Sequence, residues 1–173
     1  MSNLPPPKRK PNFKKDLQIG AKGEEIFLNR FQVKLEKLDG TKNDFIVTNS
    51  SKDGLELKTD TYDSGNFFFE RWSDVTNKKP GGPYQAIQHS KYLAYFFIKK
   101  DTYYLFDLEK LVPFLDTYIE TKKPKAIEVR NRSHTTVGYA LPIKDFQSLF
   151  LDPSDLQGEP NNTPKNKQLI VGK

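Results

Sequence analysis

At 173 residues and 35% hydrophobic content, the chain has material for one hydrophobic core and not for two. It contains no cysteine, which excludes disulfides, thiolate catalysis and Cys-ligated zinc together, and its two histidines, His89 and His134, are too few for an all-His metal site. A formal net charge of +6 directs attention to polyanionic partners, while no apolar run approaches the ~20 residues that span a bilayer, so no membrane partner is expected.

That charge is unevenly placed. Residues 1–15 carry Lys8, Arg9, Lys10, Lys14 and Lys15 with no acid, and the last fifteen residues set Lys165, Lys167 and Lys173 against Glu159, so the chain between is close to neutral. Pro5, Pro6, Pro7 and Pro11 predict an extended N-terminal arm rather than a helix. Because phosphate neutralisation dominates non-specific nucleic-acid affinity, this arm is a candidate backbone clamp or an ordinary solubilising tail.

Residues 16–31 have amphipathic helical spacing, with Ile26, Phe27 and Phe31 on one side. The stretch Gly20-Ala21-Lys22-Gly23-Glu24 lies in this helix, where glycine permits close approach to a neighbouring sheet. A hairpin follows. Asp44-Phe45-Ile46-Val47-Thr48 and Leu55-Glu56-Leu57-Lys58-Thr59 are strand-like, separated by the turn-forming residues 49–54. Alternation places Glu56 and Lys58 on one face and Leu55 and Leu57 on the other, with Asp60 continuing the Glu56 face. With Asp44 on the adjacent strand, its carboxylate joins Glu56 around one Mg²⁺, a hard cation that prefers oxygen ligands, and Lys58 lies beside the attacking water. Phe67, Phe68 and Phe69 predict a strand buried on both faces, ending at Glu70 and Arg71, and Trp72 is expected to pack.

Gln88 and Tyr92 are four residues apart and are expected on one helix face. Residues 93–98 and 103–107 form the next strand pair, 108–120 a helix containing Pro113, and 126–130 and 137–141 two short strands. Lys122, Lys123, Lys125, Arg130 and Arg132 make the densest basic cluster of the folded part, a further candidate DNA contact. Pro142 suits the first turn of a short helix ending near residue 150, and from residue 152 polar composition predicts a disordered tail. The expected organisation is a basic arm over 1–15, one domain over 16–151 and a polar tail over 152–173.

The order Glu24, Asp44, Glu56-x-Lys58, Gln88-x-x-x-Tyr92 resembles the motif series of the PD-(D/E)xK nuclease superfamily, over roughly residues 20–107. Here Asn43 stands where the family motif has Pro. The resemblance implies an α/β fold, a restriction-endonuclease-like sandwich with a mixed central β-sheet flanked by helices. It also implies a metal-dependent deoxyribonuclease that uses Mg²⁺, with Mn²⁺ as a substitute. Asp44, Glu56 and Glu24 would hold the metal, Lys58 would position the nucleophile and Gln88 the phosphate, with Asp60, Glu70 and Tyr92 in support. Small members of this kind resemble Holliday junction resolvases, which act as homodimers, and phage or recombination exonucleases. A DNA-binding module that has lost cleavage is the non-enzymatic alternative. A cytoplasmic location, in a bacterial, archaeal or phage-infected cell, is expected with any of these.

Overall fold

The computed structural model describes residues 13–30, 35–37, 45–47 and 53–156. Helix α1 (Phe13–Arg30) opens the fold, followed by strands β1 (Leu35–Lys37), β2 (Phe45–Val47) and β3 (Gly54–Asp60). Strands β4 (Asn66–Asp74) and β5 (Lys79–Pro80) lead to a five-residue helix, α2 (Gly82–Ala86). Then come β6 (Tyr92–Phe97), β7 (Thr102–Asp107), helix α3 (Leu108–Lys122), β8 (Ile127–Arg130) and β9 (Thr135–Pro142). Two 3₁₀ helices, Ile143–Leu149 and Pro153–Leu156, close the described chain.

The strands form two sheets, a five-stranded one ordered β1-β2-β3-β6-β7 and a four-stranded one ordered β5-β4-β9-β8. In the first sheet β3 and β6 run parallel and the other neighbours antiparallel, so it is mixed, while the second is wholly antiparallel. The α/β class and the mixed sheet agree with the sequence reading.

Strand β6 is the hub. All six of its residues are buried, and period-2 alternation splits them between two cores. Leu93, Tyr95 and Phe97 join Phe67 and Phe69 of β4, Leu108, Leu111 and Leu115 of α3, and Phe146. Tyr92, Ala94 and Phe96 join Phe27 of α1 and Leu55 of β3 in the smaller core. Phe67 stands at the centre of the larger core, with the rings of Tyr95, Tyr104, Phe106 and Phe146 within 5.6 Å, mostly edge-on. Such edge-to-face contacts place the positive ring edge on the negative face and fix orientation as well as burying area.

Helix α3 begins where the Asp107 carboxylate accepts from Glu109 N at 2.9 Å, an N-cap, and ends with Lys123 in the left-handed region at φ 46°. It continues through Pro113 without ending there, although that residue has no N–H to give the ladder.

Three sequence expectations change. Helix α1 starts at Phe13, so Lys14 and Lys15 belong to a helix and not to an extended arm; Lys8, Arg9 and Lys10 lie outside the described residues. Pro142 precedes the 3₁₀ helix as its N-cap and is still paired in β9. The ordered chain also continues past residue 151. Asp152 accepts from Ser154 N at 3.0 Å and Asp155 accepts from Asp152 N at 2.7 Å, and the turn they close delivers Leu156 into the smaller core, where it is fully buried. The polar composition of that stretch concealed its one anchoring side chain.

Candidate active site

Strand β3 has one face against α1 and one toward β4. Thr59 lies on the α1 side, where it occupies the place a side chain at Gly23 would take, so the glycine is what lets the helix sit this close to the sheet. Glu56, Lys58 and Asp60 alternate onto the other face. There Glu56 and Lys58 line a cleft of about 200 Å³ together with Glu70 of β4, Gln85 of α2 and Tyr95 of β6.

Within the cleft Glu56 buries its Oε2. Lys58 Nζ lies 3.9 Å from Glu70 Oε1, a separation at the outer limit of an ion pair, with both side chains partly in solvent. Such a pair is weakly held and leaves the ammonium able to take another oxygen partner.

Behind these groups is a fixed brace. Asp60 Oδ2 accepts from the Tyr95 hydroxyl at 2.7 Å, and that hydroxyl accepts from Phe68 N at 3.0 Å. Burial pushes the Tyr95 phenol well above its ordinary range and the Asp60 charge adds to this, so it stays a neutral donor. The brace ties β3, β6 and β4 together at the back of the cleft.

Pro80-Gly81-Gly82-Pro83 brings α2 to the rim. A side chain at Gly81 would come within 2.8 Å of Ser73 N and 3.0 Å of Glu70 Oε2, and Gly82 has φ +47° with β4 backbone equally near. Only glycine allows this approach, which places Gln85 in the cleft wall.

Of the residues singled out from sequence, the structure brings Glu56, Lys58 and Glu70 together at the cleft, with Asp60 bracing from behind. Asp44 lies outside the described residues; the neighbouring Phe45 of β2 pairs with Leu55, one position from Glu56. Glu24 is on α1, the helix that covers the opposite side of β3, and is not among the residues lining the cleft.

Gln88 and Tyr92 do not share a helix face. Helix α2 stops at Ala86, Gln88 lies exposed in the following turn, and Tyr92 is the buried first residue of β6, paired with Leu55. The aromatic run from Tyr92 to Phe97 is claimed by the sheet, and sheet pairing overrides helical spacing. Sequence reasoning had named neither Gln85 nor Tyr95, although the proline and glycine punctuation ahead of Gln85 marked a turn opening a helix.

Lys15 is exposed near the start of α1, and the side chain of Lys14 lies outside the described residues. Lys122 and Lys123 end α3, Lys125 follows, Arg130 ends β8 and Arg132 lies in the β8–β9 turn, all exposed. Strand β8 is two strands from β4, or about 10 Å across the sheet, which sets Arg130 apart from the cleft.

The donor chemistry suits a hard cation. Among the described residues no set of three or more acidic or imidazole groups is assembled for a metal, and the cleft offers two carboxylates, Glu56 and Glu70, with Gln85 also in its lining. Oxygen donors of this kind are what Mg²⁺ accepts, and it completes its shell with water. No helix among the described residues is long and apolar enough to cross a membrane. Compared with known proteins, the chain matches no family model, no curated protein and no solved structure.

Proposed function

We propose that this cleft hydrolyses phosphodiester bonds in DNA with the help of a divalent cation, Mg²⁺ or Mn²⁺, as a member of the PD-(D/E)xK nuclease superfamily with a restriction-endonuclease-like core. The observation that carries the reading is the convergence of Glu56, Lys58 and Glu70 on one cleft between β3 and β4. Glu56 and Asp44 would hold the cation, with Glu70 as the further carboxylate in place of Glu24. When bound, such a cation activates water and offsets negative charge on the phosphate.

The remaining steps belong to the chain. Lys58, held only loosely by Glu70, orients the attacking water and stabilises charge on the phosphate oxygens. Gln85 donates its amide N–H to a non-bridging oxygen, the role expected from sequence for Gln88. The Asp60–Tyr95 brace fixes β3 so that Glu56 and Lys58 keep their spacing. Branched DNA, as cut by Holliday junction resolvases, is the substrate class put first, and two symmetric cuts in a junction call for a homodimer.

The test is cleavage of end-labelled duplex, single-stranded, flap and four-way-junction DNA by the full chain with Mg²⁺ or Mn²⁺. Metal-dependent cutting supports the reading, with paired symmetric nicks at the junction indicating resolvase action and progressive loss from ends an exonuclease. Tight binding without cutting of any substrate would contradict it and leave a DNA-binding module.

A further inference from the structure

Arg71 follows Glu70 on β4 and has no role in the cleft just described. Its guanidinium carbon lies 4.1 Å from the ring centroid of Trp72 and 4.1 Å from that of Tyr84. Tyr84 is itself buried and anchored, its hydroxyl donating to Asp116 Oδ1 at 2.9 Å. Among the described residues no carboxylate closes an ion pair with Arg71 and no hydrogen bond engages its guanidinium.

The backbone shows how the side chain reaches this position. In the β4–β9 ladder Glu70 pairs with Gly138 and Trp72 with Val137, so Arg71 is the extra residue of a β-bulge. Two residues on from Phe69, Arg71 carries its guanidinium to Tyr84, a buried member of the same larger core as Phe67 and Phe69. Gly81 N donates to the Arg71 carbonyl at 3.3 Å, tying the bulge to the same Gly-Gly turn that places Gln85.

A guanidinium carries its five N–H donors in its plane and its stacking surface on its faces. Two aromatic rings hold the guanidinium carbon, each at 4.1 Å, and among the described residues no hydrogen bond takes its donors. A rigid fork whose protein partners are rings and not acids is matched to an oxyanion. Arg71 directly follows Glu70, which lines the cleft, and Gly81 meets both residues, so Arg71 stands beside the cleft.

We propose that Arg71, clamped between Trp72 and Tyr84, is a phosphate-binding residue that holds the DNA backbone beside the cleft. The inference rests on the nuclease reading for its ligand, and binding is measured separately from cleavage so that the two fail differently.

Fluorescence anisotropy of labelled duplex DNA is measured against salt for the wild-type full chain, Arg71→Met and Arg71→Gln, without divalent metal, with a thermal melt of each protein. Both variants keep a side chain between the rings but lose the charge. The expected result is a loss of affinity of about tenfold and a salt slope shallower by roughly 0.9, the value for one phosphate. In parallel, phenylglyoxal modification of Arg71 in wild type is read by mass spectrometry and is expected to be suppressed by duplex DNA, a readout that survives even if both variants unfold.

An unchanged slope in a folded variant, or equal modification with and without DNA, overturns the assignment of Arg71 while leaving cleavage at Lys58 untouched. A wild-type chain that neither binds nor cuts DNA overturns both readings.

Discussion

Replacing Tyr95 by Phe removes one oxygen atom from the fully buried centre of the molecule and leaves the ring packing of Phe67 and Phe97 in place. That oxygen makes two hydrogen bonds, donating to the Asp60 carboxylate at 2.7 Å and accepting from Phe68 N at 3.0 Å. A bond to a charged acceptor is worth about 1.5–3 kcal/mol and a neutral one about 1 kcal/mol, so the pair supports a loss of roughly 2–4 kcal/mol. For a chain of this length each kcal/mol lowers the melting temperature by about 2–4 °C, which gives a fall of ~4–16 °C.

The assay is urea unfolding followed by circular dichroism, with Tyr62→Phe as control, since Tyr62 is exposed. The midpoint should fall for Tyr95→Phe with the slope unchanged, and Tyr62→Phe should match wild type. Cleavage should also slow, because the brace fixes the strand that carries Glu56 and Lys58. A Tyr95→Phe protein as stable as wild type would refute the argument that these two bonds hold β3, β4 and β6 in register.

Other consequences are equally direct. Gly81→Ala places a methyl group 2.8 Å from Ser73 N and against Glu70, and should cost about 1–3 kcal/mol in urea unfolding while slowing cleavage. Gln85→Ala should lower the single-turnover cleavage rate by about a hundredfold, the cost of losing one well-placed donor, while Gln88→Ala should stay close to wild type. The Tyr118 phenol, pushed up to about 12 by burial and by its 2.6 Å bond to Asp145, should titrate there in the ultraviolet. Because the folded value is raised above the unfolded one near 10, its contribution to stability is complete below pH ~10 and lost as pH rises through about 12. In Tyr118→Phe that alkaline component should be missing from the stability profile.

How far the sequence revealed this structure differs from element to element, for physical reasons. The β2–β3 hairpin, the buried β6 and helix α3 are legible because their patterns are local: turn residues between β-branched runs, unbroken apolar residues, and helical periodicity from residue 108. Glu56, Lys58 and Asp60 fell on one face because strand alternation is geometrically fixed.

What failed depended on contacts between distant segments. Nothing near Gln88 shows that α2 ends two residues earlier, since that boundary is set where Lys91 N reaches Gly54 O to start the parallel pairing. Leu156 was hidden by the polar residues around it and is ordered only because the smaller core has room for it. Arg71 is the sharpest case. The sequence shows neither the bulge opposite Gly138 and Val137 nor the two rings, Trp72 and Tyr84, that its guanidinium meets. The cleft is therefore readable along β3 and at Glu70 of β4, and unreadable where α2 brings in Gln85.

The central claim is that Glu56 and Lys58 form a hydrolytic site, and the measurement that tests it most directly is single-turnover cleavage of DNA in Mn²⁺ by wild type, Glu56→Ala and Lys58→Ala, each shown to fold by its thermal melt. The account predicts metal-dependent cutting by wild type and a fall of at least a hundredfold in both variants, with melting little changed in Lys58→Ala, since Lys58 is half-exposed and among the described residues its ion pair is the long one to Glu70. Near-wild-type cutting by a folded Lys58→Ala protein would contradict it.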